Sequence, residues 1–517
     1  MKKALVLTSR DNFSWWSMQE IIPAIEMVWE NIFAAGGPKA DIEHVTILEK
    51  DSKISEVLRS KAAKASLIVA TASTPSVVSH LVRLRETEKI KAPFFIYIHG
   101  DSTAGFMAFG PLRELLQKKD VFVVSCEADA VAVRDSFKNP QIVVVPFPLA
   151  EGVAIRELKY PKPTASNPAL YYIGRISEQK NLHTLFFAMW ILKAFYKIKD
   201  ITLDIYGRED GYGSPNMDFH FHAYETFLKG LAADLGLASS IRFNGFKERS
   251  ELAEIVKDNR KIFVSSTLHS DENFGACALS ALLNGSPAIV TDWGGHPQFQ
   301  AKFPGQLFLA PVHSSSRGPH LNPFELADLI LKAHGARGKG GKTARLAASK
   351  AYSIREGAKR LAPKLRLSRD ASRLEMTDLL RGLLLRRKER DWGGQKIFTD
   401  YTDPFAASYF RAYGMPEKSE LQAAALMFGK VVIPPWVRWY RNDVRIVDPH
   451  RGIVRLDGAP GEPTADVLIA PTLETRTVSL RLLNQLAKYG YAFLCPEQPK
   501  NTLHHGARLN TILAWNS

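Results

Sequence analysis

The sequence predicts an α/β protein of two doubly wound domains in series, followed by a basic helical stretch and a smaller α/β segment. Three observations predict it. Two sets of short apolar runs alternate with helix-period segments. A polar, proline-bearing stretch divides the two sets. Beyond Gly335 the composition turns strongly basic.

The first set of strands is expected at Ala4–Thr8, Val45–Leu48, Ser66–Ala70, Phe94–His99, Val121–Ser125 and Ile142–Phe147. These are continuous runs rich in Val and Ile, the signature of strands covered on both faces of a parallel sheet. Between the first two, Met18, Ile21, Ile22, Ile25, Val28, Trp29, Ile32 and Phe33 keep a 3.6-residue period until Gly36-Gly37-Pro38 stops it. Glu151 to Pro168, with Pro161, Pro163 and Pro168, reads as a linker. The second set is expected at Ala169–Ile173, Thr202–Tyr206, Ile241–Asn244, Ile262–Ser266, Ala288–Thr291 and Leu307–Ala310, with helices at Leu182–Phe195 and Tyr224–Leu237. The expected organisation is therefore a first Rossmann-like domain over 1–150, a linker over 151–168 and a second domain over 169–335. A basic helical region follows over 336–420. A small α/β extension over 421–517 has strand-like runs at Val431–Ile433, Val444–Val447 and Val467–Ala470, a helix at Val478–Lys488 and a last run at Tyr491–Leu494. A cleft between two such domains is a common ligand site.

Composition excludes some classes. No run of about 18 apolar residues occurs, so no transmembrane helix is expected. The apolar start, Met1 to Leu7, is cut short by Thr8, Ser9, Arg10, Asp11 and Asn12, which favours a buried strand over a signal peptide. The three cysteines, Cys126, Cys277 and Cys495, show no metal-ligand spacing and fit core positions in a reducing cytoplasm. The net charge of +15 is local: Arg337 to Asp391 holds 17 Lys/Arg against 6 Asp/Glu. That concentration points to an acidic partner, and no nucleic-acid module accompanies it.

Two segments carry chemistry. Tyr171-Tyr172-Ile173-Gly174-Arg175, with Lys180-Asn181, reads as a strand end, a glycine turn and two cations near a helix start. Arg presents a planar fork and Lys a compact charge, so together they can neutralise a diphosphate. A solvated, charged helix start is the plain alternative. The second segment runs from Ser265 through Glu272-Asn273-Phe274-Gly275, a short helix and Asn284-Gly285-Ser286-Pro287 to Trp293-Gly294-Gly295. It reads as strand, acidic loop, helix, turn, strand and Gly-Gly loop. A carboxylate beside unpaired N–H groups at a helix start can hold a sugar hydroxyl and a phosphate together.

These two segments, about 90 residues apart, resemble the donor site of retaining GT-B glycosyltransferases of the family-4 type. The resemblance covers roughly residues 1–335 in layout and the second domain in motif detail. It implies a retaining hexosyl transfer from a nucleotide-sugar donor to a glycan or lipid-linked acceptor, without metal or other cofactor. It casts Glu272 and His99 as catalytic residues. The donor would meet Gly174, Arg175, Lys180, Asn273, Phe274, Gly275 and Ser280. The family carries a second glutamate eight positions after the first, where this chain has Ser280. A serine makes a weaker, neutral ribose contact, a loss on the order of 1–3 kcal/mol. The same substitution fits an inactive GT-B protein that binds a glycan, nucleotide or partner protein.

On the acceptor side, the loop Asp11–Ser17 carries Trp15 and Trp16 where the family has glycines. They are candidates for stacking on an acceptor or for filling the core. His99 ends a strand, where ligands of such sheets bind, and Asp101 stands beside it. Val144-Val145-Pro146-Phe147-Pro148 occupies the place of the family's Pro-Asn-Gly turn without its Asn-Gly. Within 373–390, Met376, Leu379, Leu380, Leu383 and Leu384 form an apolar stripe flanked by Arg381, Arg386, Arg387 and Lys388. Such a stripe can lie on an anionic membrane from the cytoplasmic side or pack on the protein core.

Overall fold

A computed structural model of the chain describes residues 3–9, 16–35, 41–48, 53–99, 110–149, 167–209, 223–270, 272–336, 341–365, 370–389, 403–417, 430–440, 443–449, 452–457 and 464–495. The first domain alternates β1 (Lys3–Ser9), α1 (Trp16–Ala35), β2 (Asp41–Ile47), α2 (Glu56–Lys64), β3 (Leu67–Ala70), α3 (Pro75–Glu86), β4 (Phe94–Tyr97), α4 (Gly110–Arg113), β5 (Val121–Val124), α5 (Glu127–Ser136) and β6 (Gln141–Val144). Its sheet has the order β2-β1-β3-β4-β5-β6 and is parallel throughout. Local sequence sets the helix starts. Ser55 and Thr74 accept from the backbone N–H groups of Leu58 and Val77, and Pro75 opens α3 where its missing N–H costs nothing.

The second domain continues with β7 (Ala169–Ile173), α6 (Leu182–Ala194), β8 (Thr202–Tyr206), α7 (Tyr224–Asp234), β9 (Ile241–Phe243), α8 (Arg249–Ile255), β10 (Ile262–Ser265), α9 (Ala276–Leu283), β11 (Ala288–Thr291) and β12 (Leu307–Ala310). A hairpin, β13 (Val312–Ser315) and β14 (Gly318–Leu321), and then α10 (Pro323–Gly335) complete it. The sheet order is β12-β11-β10-β7-β8-β9. Strand order reverses between β7 and β10, whose parallel pairing sets Ile262 against Leu170 and Phe263 against Tyr171. In such sheets the crevice at the reversal takes the ligand. Two Rossmann-like domains with C-terminal additions are thus the observed layout, as the GT-B expectation requires.

The basic stretch is carried as part of the first compact unit, which comprises residues 1–419 and 446–454. It contains α11 (Lys342–Ala351), α12 (Ile354–Leu361), α13 (Asp378–Glu389) and α14 (Pro404–Ala412). Helix α12 lies so close to α1 that a Cβ at Gly357 would stand 3.1 Å from Val28. Residues 372–377 run along the first domain: Leu374 N–H donates to Leu116 O at 2.8 Å and Thr377 N–H to Ser136 O at 2.9 Å. Of the two destinations open to the 373–390 stripe, the structure shows packing: Leu380 and Leu383 are buried in the core of the first domain. Among the described residues no helix is long and apolar enough to cross a membrane.

Helix α14 returns to the first domain and buries Phe405, Ala406, Tyr409 and Phe410. Trp293, wholly buried after β11, lies 6.1 Å from the Phe410 ring and 5.7 Å from that of Tyr413. Tyr413 in turn donates to the buried Asp129 of α5 at 2.7 Å.

The second compact unit comprises residues 420–445 and 455–517. The C-terminal elements are β15 (Val431–Ile433), β16 (Val437–Trp439), β17 (Asp443–Asp448), β18 (Gly452–Asp457), β19 (Thr464–Ile469), β20 (Glu474–Ser479), α15 (Leu480–Lys488) and β21 (Phe493–Leu494). One sheet has the order β20-β19-β15-β21, with β15 parallel to β19 and the outer pairs antiparallel. The other has the order β16-β17-β18.

Trp293→Ala should lower stability by about 3–5 kcal/mol, because a large buried ring leaves a cavity between β11 and the returning helix. Urea unfolding of the two proteins measures it; a change within 1 kcal/mol or so would show that the return helix is not anchored there.

Candidate active site

The two chemistry-bearing segments leave adjacent strands at the reversal point, so the fold alone brings them together. Glycine makes the approach possible. A Cβ at Gly207 would lie 1.9 Å from Gly174 O, and one at Gly295 would lie 2.1 Å from Asn273 O. The loops are then sewn together. Ser266 Oγ lies 3.1 Å from Lys180 O and 3.0 Å from Asn181 O, and Leu268 N–H donates to Gln179 O at 2.9 Å. Gly295 N–H donates to Glu272 O at 2.8 Å and Gly294 N–H to Tyr413 O at 2.7 Å.

Inside this frame the charges pair. Lys180 Nζ donates to Glu272 Oε2 at 2.6 Å, with both side chains largely buried. Arg175 Nη2 stands 3.0 Å from His269 Nε2. The guanidinium has only donors, so His269 accepts there. His296 Nε2 lies 3.8 Å from Glu272 Oε1. Burial pushes the Glu272 carboxyl up, but Lys180 and then His296 outweigh it and hold it at about 2. Burial keeps the His296 imidazole below its ordinary value against the pull of Glu272. Burial, reinforced by Glu272, pushes the Cys277 thiol up to about 12, so at neutral pH it is a neutral wall of the site.

Gly275, at φ +89°, sets the start of α9 directly after the acidic loop. The first N–H groups of a helix have no intrahelical acceptor, and α9 begins four residues after Glu272. Asn273 is 8% exposed; its carbonyl accepts from Ser125 Oγ of the first domain at 3.2 Å. Its Nδ2 is buried and meets no acceptor among the described residues. Phe274 does not present its ring to the cleft. It packs on Phe147 of the first domain at 5.1 Å, on Phe299 at 5.4 Å and on Tyr352 at 5.8 Å. Ser280 is half-buried on α9, and its carbonyl accepts from Asn284.

His99 sits beyond β4, 5.4 Å from the Phe147 ring. Its Nε2 lies 2.5 Å from Thr71 O, which fixes the proton on Nε2 and leaves Nδ1 as an acceptor. That Nδ1 is buried without a partner among the described residues. Burial pushes the imidazole down to about 4. The shared aromatic packing of Phe147 connects His99 to the Glu272 loop. Trp15 and Asp101 lie outside the described residues; Trp16 opens α1, and its side chain lies outside them too.

The structure adds three participants to those expected, His269, His296 and Tyr413. His269 was legible in principle, three residues before Glu272 on the same loop. His296 directly follows Gly294-Gly295. Tyr413 carried no signal, because nothing local says where a distant helix returns.

Comparison with known proteins bears on this site. Residues 158–312 match the model of the glycosyl transferases group 1 family. The group 1 match spans both Gly174–Lys180 and Glu272–Gly275. The D-inositol 3-phosphate glycosyltransferase of Corynebacterium urealyticum is 27% identical over 196 residues, which is 35% of this chain and 43% of that protein. The chain thus spans less than half the length of that relative. Among solved structures, the lipopolysaccharide outer core galactosyltransferase WaaB aligns at 13% identity with a TM-score of 0.46, covering 71% of this chain and 99% of that one. An alpha,alpha-trehalose 6-phosphate synthase from Burkholderia multivorans aligns at 11% identity with a TM-score of 0.43, covering 71% and 98%.

The ion pair gives a pH signature. Glu272 is held at about 2 against an ordinary 4.5, so its stabilising share is complete above pH 4.5 and lost as pH falls towards 2. Lys180→Met should cost about 3–5 kcal/mol near neutral pH, because it strands a buried carboxylate. The gap from the parent should shrink as acid neutralises Glu272. A gap unchanged between pH 6 and pH 3 in urea unfolding would show that the pair does not set this carboxyl.

Proposed function

We propose that the chain transfers a hexosyl group from a nucleoside-diphosphate sugar to an acceptor with retention of anomeric configuration. One observation carries this reading: Arg175, Lys180 and Glu272 converge at the start of α9, on the reversal point of the second sheet. The group 1 match over the same residues agrees with it.

In this reading the diphosphate lies against the first N–H groups of α9. Arg175 and Lys180 oppose the charge that grows on it as the glycosidic bond breaks. Lys180 carries three donors, so it can hold Glu272 and a phosphate oxygen together. Glu272, ionised throughout the physiological range, accepts from sugar hydroxyls and holds the ring. His99 is neutral near pH 7, and its Nδ1 lone pair receives a further hydroxyl from the side of the first domain. The acceptor attacks on the face the diphosphate leaves, so the transfer requires no protein nucleophile. Ser280 makes the neutral ribose contact, and no metal or other cofactor enters the reaction. A glycan or lipid-linked acceptor would enter from the first domain.

Thermal unfolding against UDP-, GDP-, ADP- and dTDP-sugars is the direct test. Ligand at about 100 times its dissociation constant stabilises the native state by about 2.7 kcal/mol. One nucleotide class should raise the melting temperature by several degrees. Arg175→Ala should then lower kcat/KM by about 10²-fold or more, the usual cost of a donor that acts on developing charge. Ser280→Glu should tighten nucleotide binding by about tenfold, equivalent to 1.4 kcal/mol. The anomeric configuration of the first-formed product, read by NMR, decides retention. Absence of a shift with every donor, together with absence of donor hydrolysis, would sink the transferase reading and leave a binding protein of the same fold.

A further inference from the structure

The proposed transfer uses nothing from the second unit, yet one face there gathers steered arginines beside an exposed aromatic ring. In β17 the side chains alternate: Val444 and Ile446 are buried, while Asp443 and Arg445 lie towards solvent. Tyr440, just after β16, is 51% exposed, and Arg438 two residues earlier is exposed on the same side. The Tyr440 N–H donates to Asp443 O at 2.9 Å, which closes the hairpin and brings the two strands' outer residues together.

The cations on this face are held in place. Arg445 donates from Nε to Asp443 Oδ2 at 3.1 Å, and its guanidinium lies 4.6 Å from the Tyr440 ring centroid. Arg455, from β18, donates from Nε to the same Asp443 oxygen. One carboxylate therefore steers two guanidinium forks, and each uses only Nε in doing so. Among the described residues their terminal nitrogens meet no other acceptor. Among the described residues of this face Arg438, Arg445 and Arg455 outnumber Asp443, so its charge there is net positive. Fixing long side chains beforehand lowers the entropy lost on binding. A planar guanidinium matches a carboxylate through two parallel N–H donors, and an exposed tyrosine ring offers an apolar surface to a sugar ring.

We propose that this face binds a uronate-bearing glycan, with Arg445 and Arg455 taking its carboxylates and Tyr440 packing against a sugar ring. The charge fixes the sign of the ligand, and the ring beside the forks favours a carbohydrate over a simple anion. The site stands independently of the transferase reading, because its residues belong to the second unit and its readout is binding.

The test is titration of the full chain with oligogalacturonate, followed by calorimetry, with neutral dextran as the uncharged control. Binding to oligogalacturonate and none to dextran is expected. Arg445→Ala/Arg455→Ala should weaken the complex by roughly tenfold or more, through loss of two charge-assisted contacts. Tyr440→Ala keeps both guanidinium groups and should weaken it several-fold, which preserves a reading if the double variant fails to fold. Lys359→Ala/Arg360→Ala, on the exposed side of α12, should leave the affinity unchanged. Equal loss from that pair would show general polyanion attraction and overturn the proposal. No binding to oligogalacturonate would also overturn it, as would binding to phosphatidylglycerol vesicles alone.

Discussion

The parallel pairing of β7 with β10 is the constraint on which the rest of the candidate site depends. Parallel strands end on the same edge, so the segments that follow them must share one place. Lys180 and Glu272 are 92 residues apart in sequence, yet this register leaves their side chains within hydrogen-bond reach. Glycines remove the remaining obstacle by letting backbone lie on backbone at Gly207 and Gly295. The electrostatics follow from that geometry. Burial alone would favour a neutral carboxyl, and the ammonium beside it reverses that preference. The acidic character of Glu272 is therefore a property of the fold more than of the residue.

Among the contacts between the two domains, two kinds play different roles. Phe147, Phe274, Phe299 and Tyr352 form an aromatic cluster that excludes water and contributes area. The bond from Ser125 Oγ to Asn273 O and that from Tyr413 to Asp129 are directional, and they fix orientation. Tyr413 also accepts from Gly294, so one residue touches α5 of the first domain and the glycine loop of the second. The position of the donor loop and the position of the first domain are thereby linked through a short stretch of chain.

The legible part of the fold was the part that burial writes locally. Expected and observed bounds coincide at Ala169–Ile173, Thr202–Tyr206, Ala288–Thr291 and Leu307–Ala310, because strands covered on both faces leave mostly apolar runs, broken in Thr202–Tyr206 by Asp204. The hairpin Val312–Ser315 and Gly318–Leu321 escaped notice, since His313, Ser314, Ser315 and His320 interrupt any apolar run. The association of Gly174–Lys180 with Glu272–Gly275 was implied by the family resemblance that the two motifs carry together. The pairing of Arg175 with His269 was not, because a motif gives residue types and only packing gives partners. The Phe274 ring shows the same limit: its position in the motif fixes the backbone, while neighbouring aromatics decide where the side chain goes.

The return of the chain to its own beginning has a consequence for synthesis. Helix α5 emerges early, but Asp129 receives its partner from Tyr413, 284 residues later. Leu380, Leu383 and the aromatic residues of α14 cover the same domain and arrive in the same late stretch. At a translation rate of roughly 5–20 residues per second, that interval is on the order of tens of seconds. Throughout it the first sheet stands on the ribosome with one flank uncovered. The nascent chain therefore has a long window in which this apolar flank is open to chaperones or to neighbouring chains, and it closes only when the last third of the protein is made.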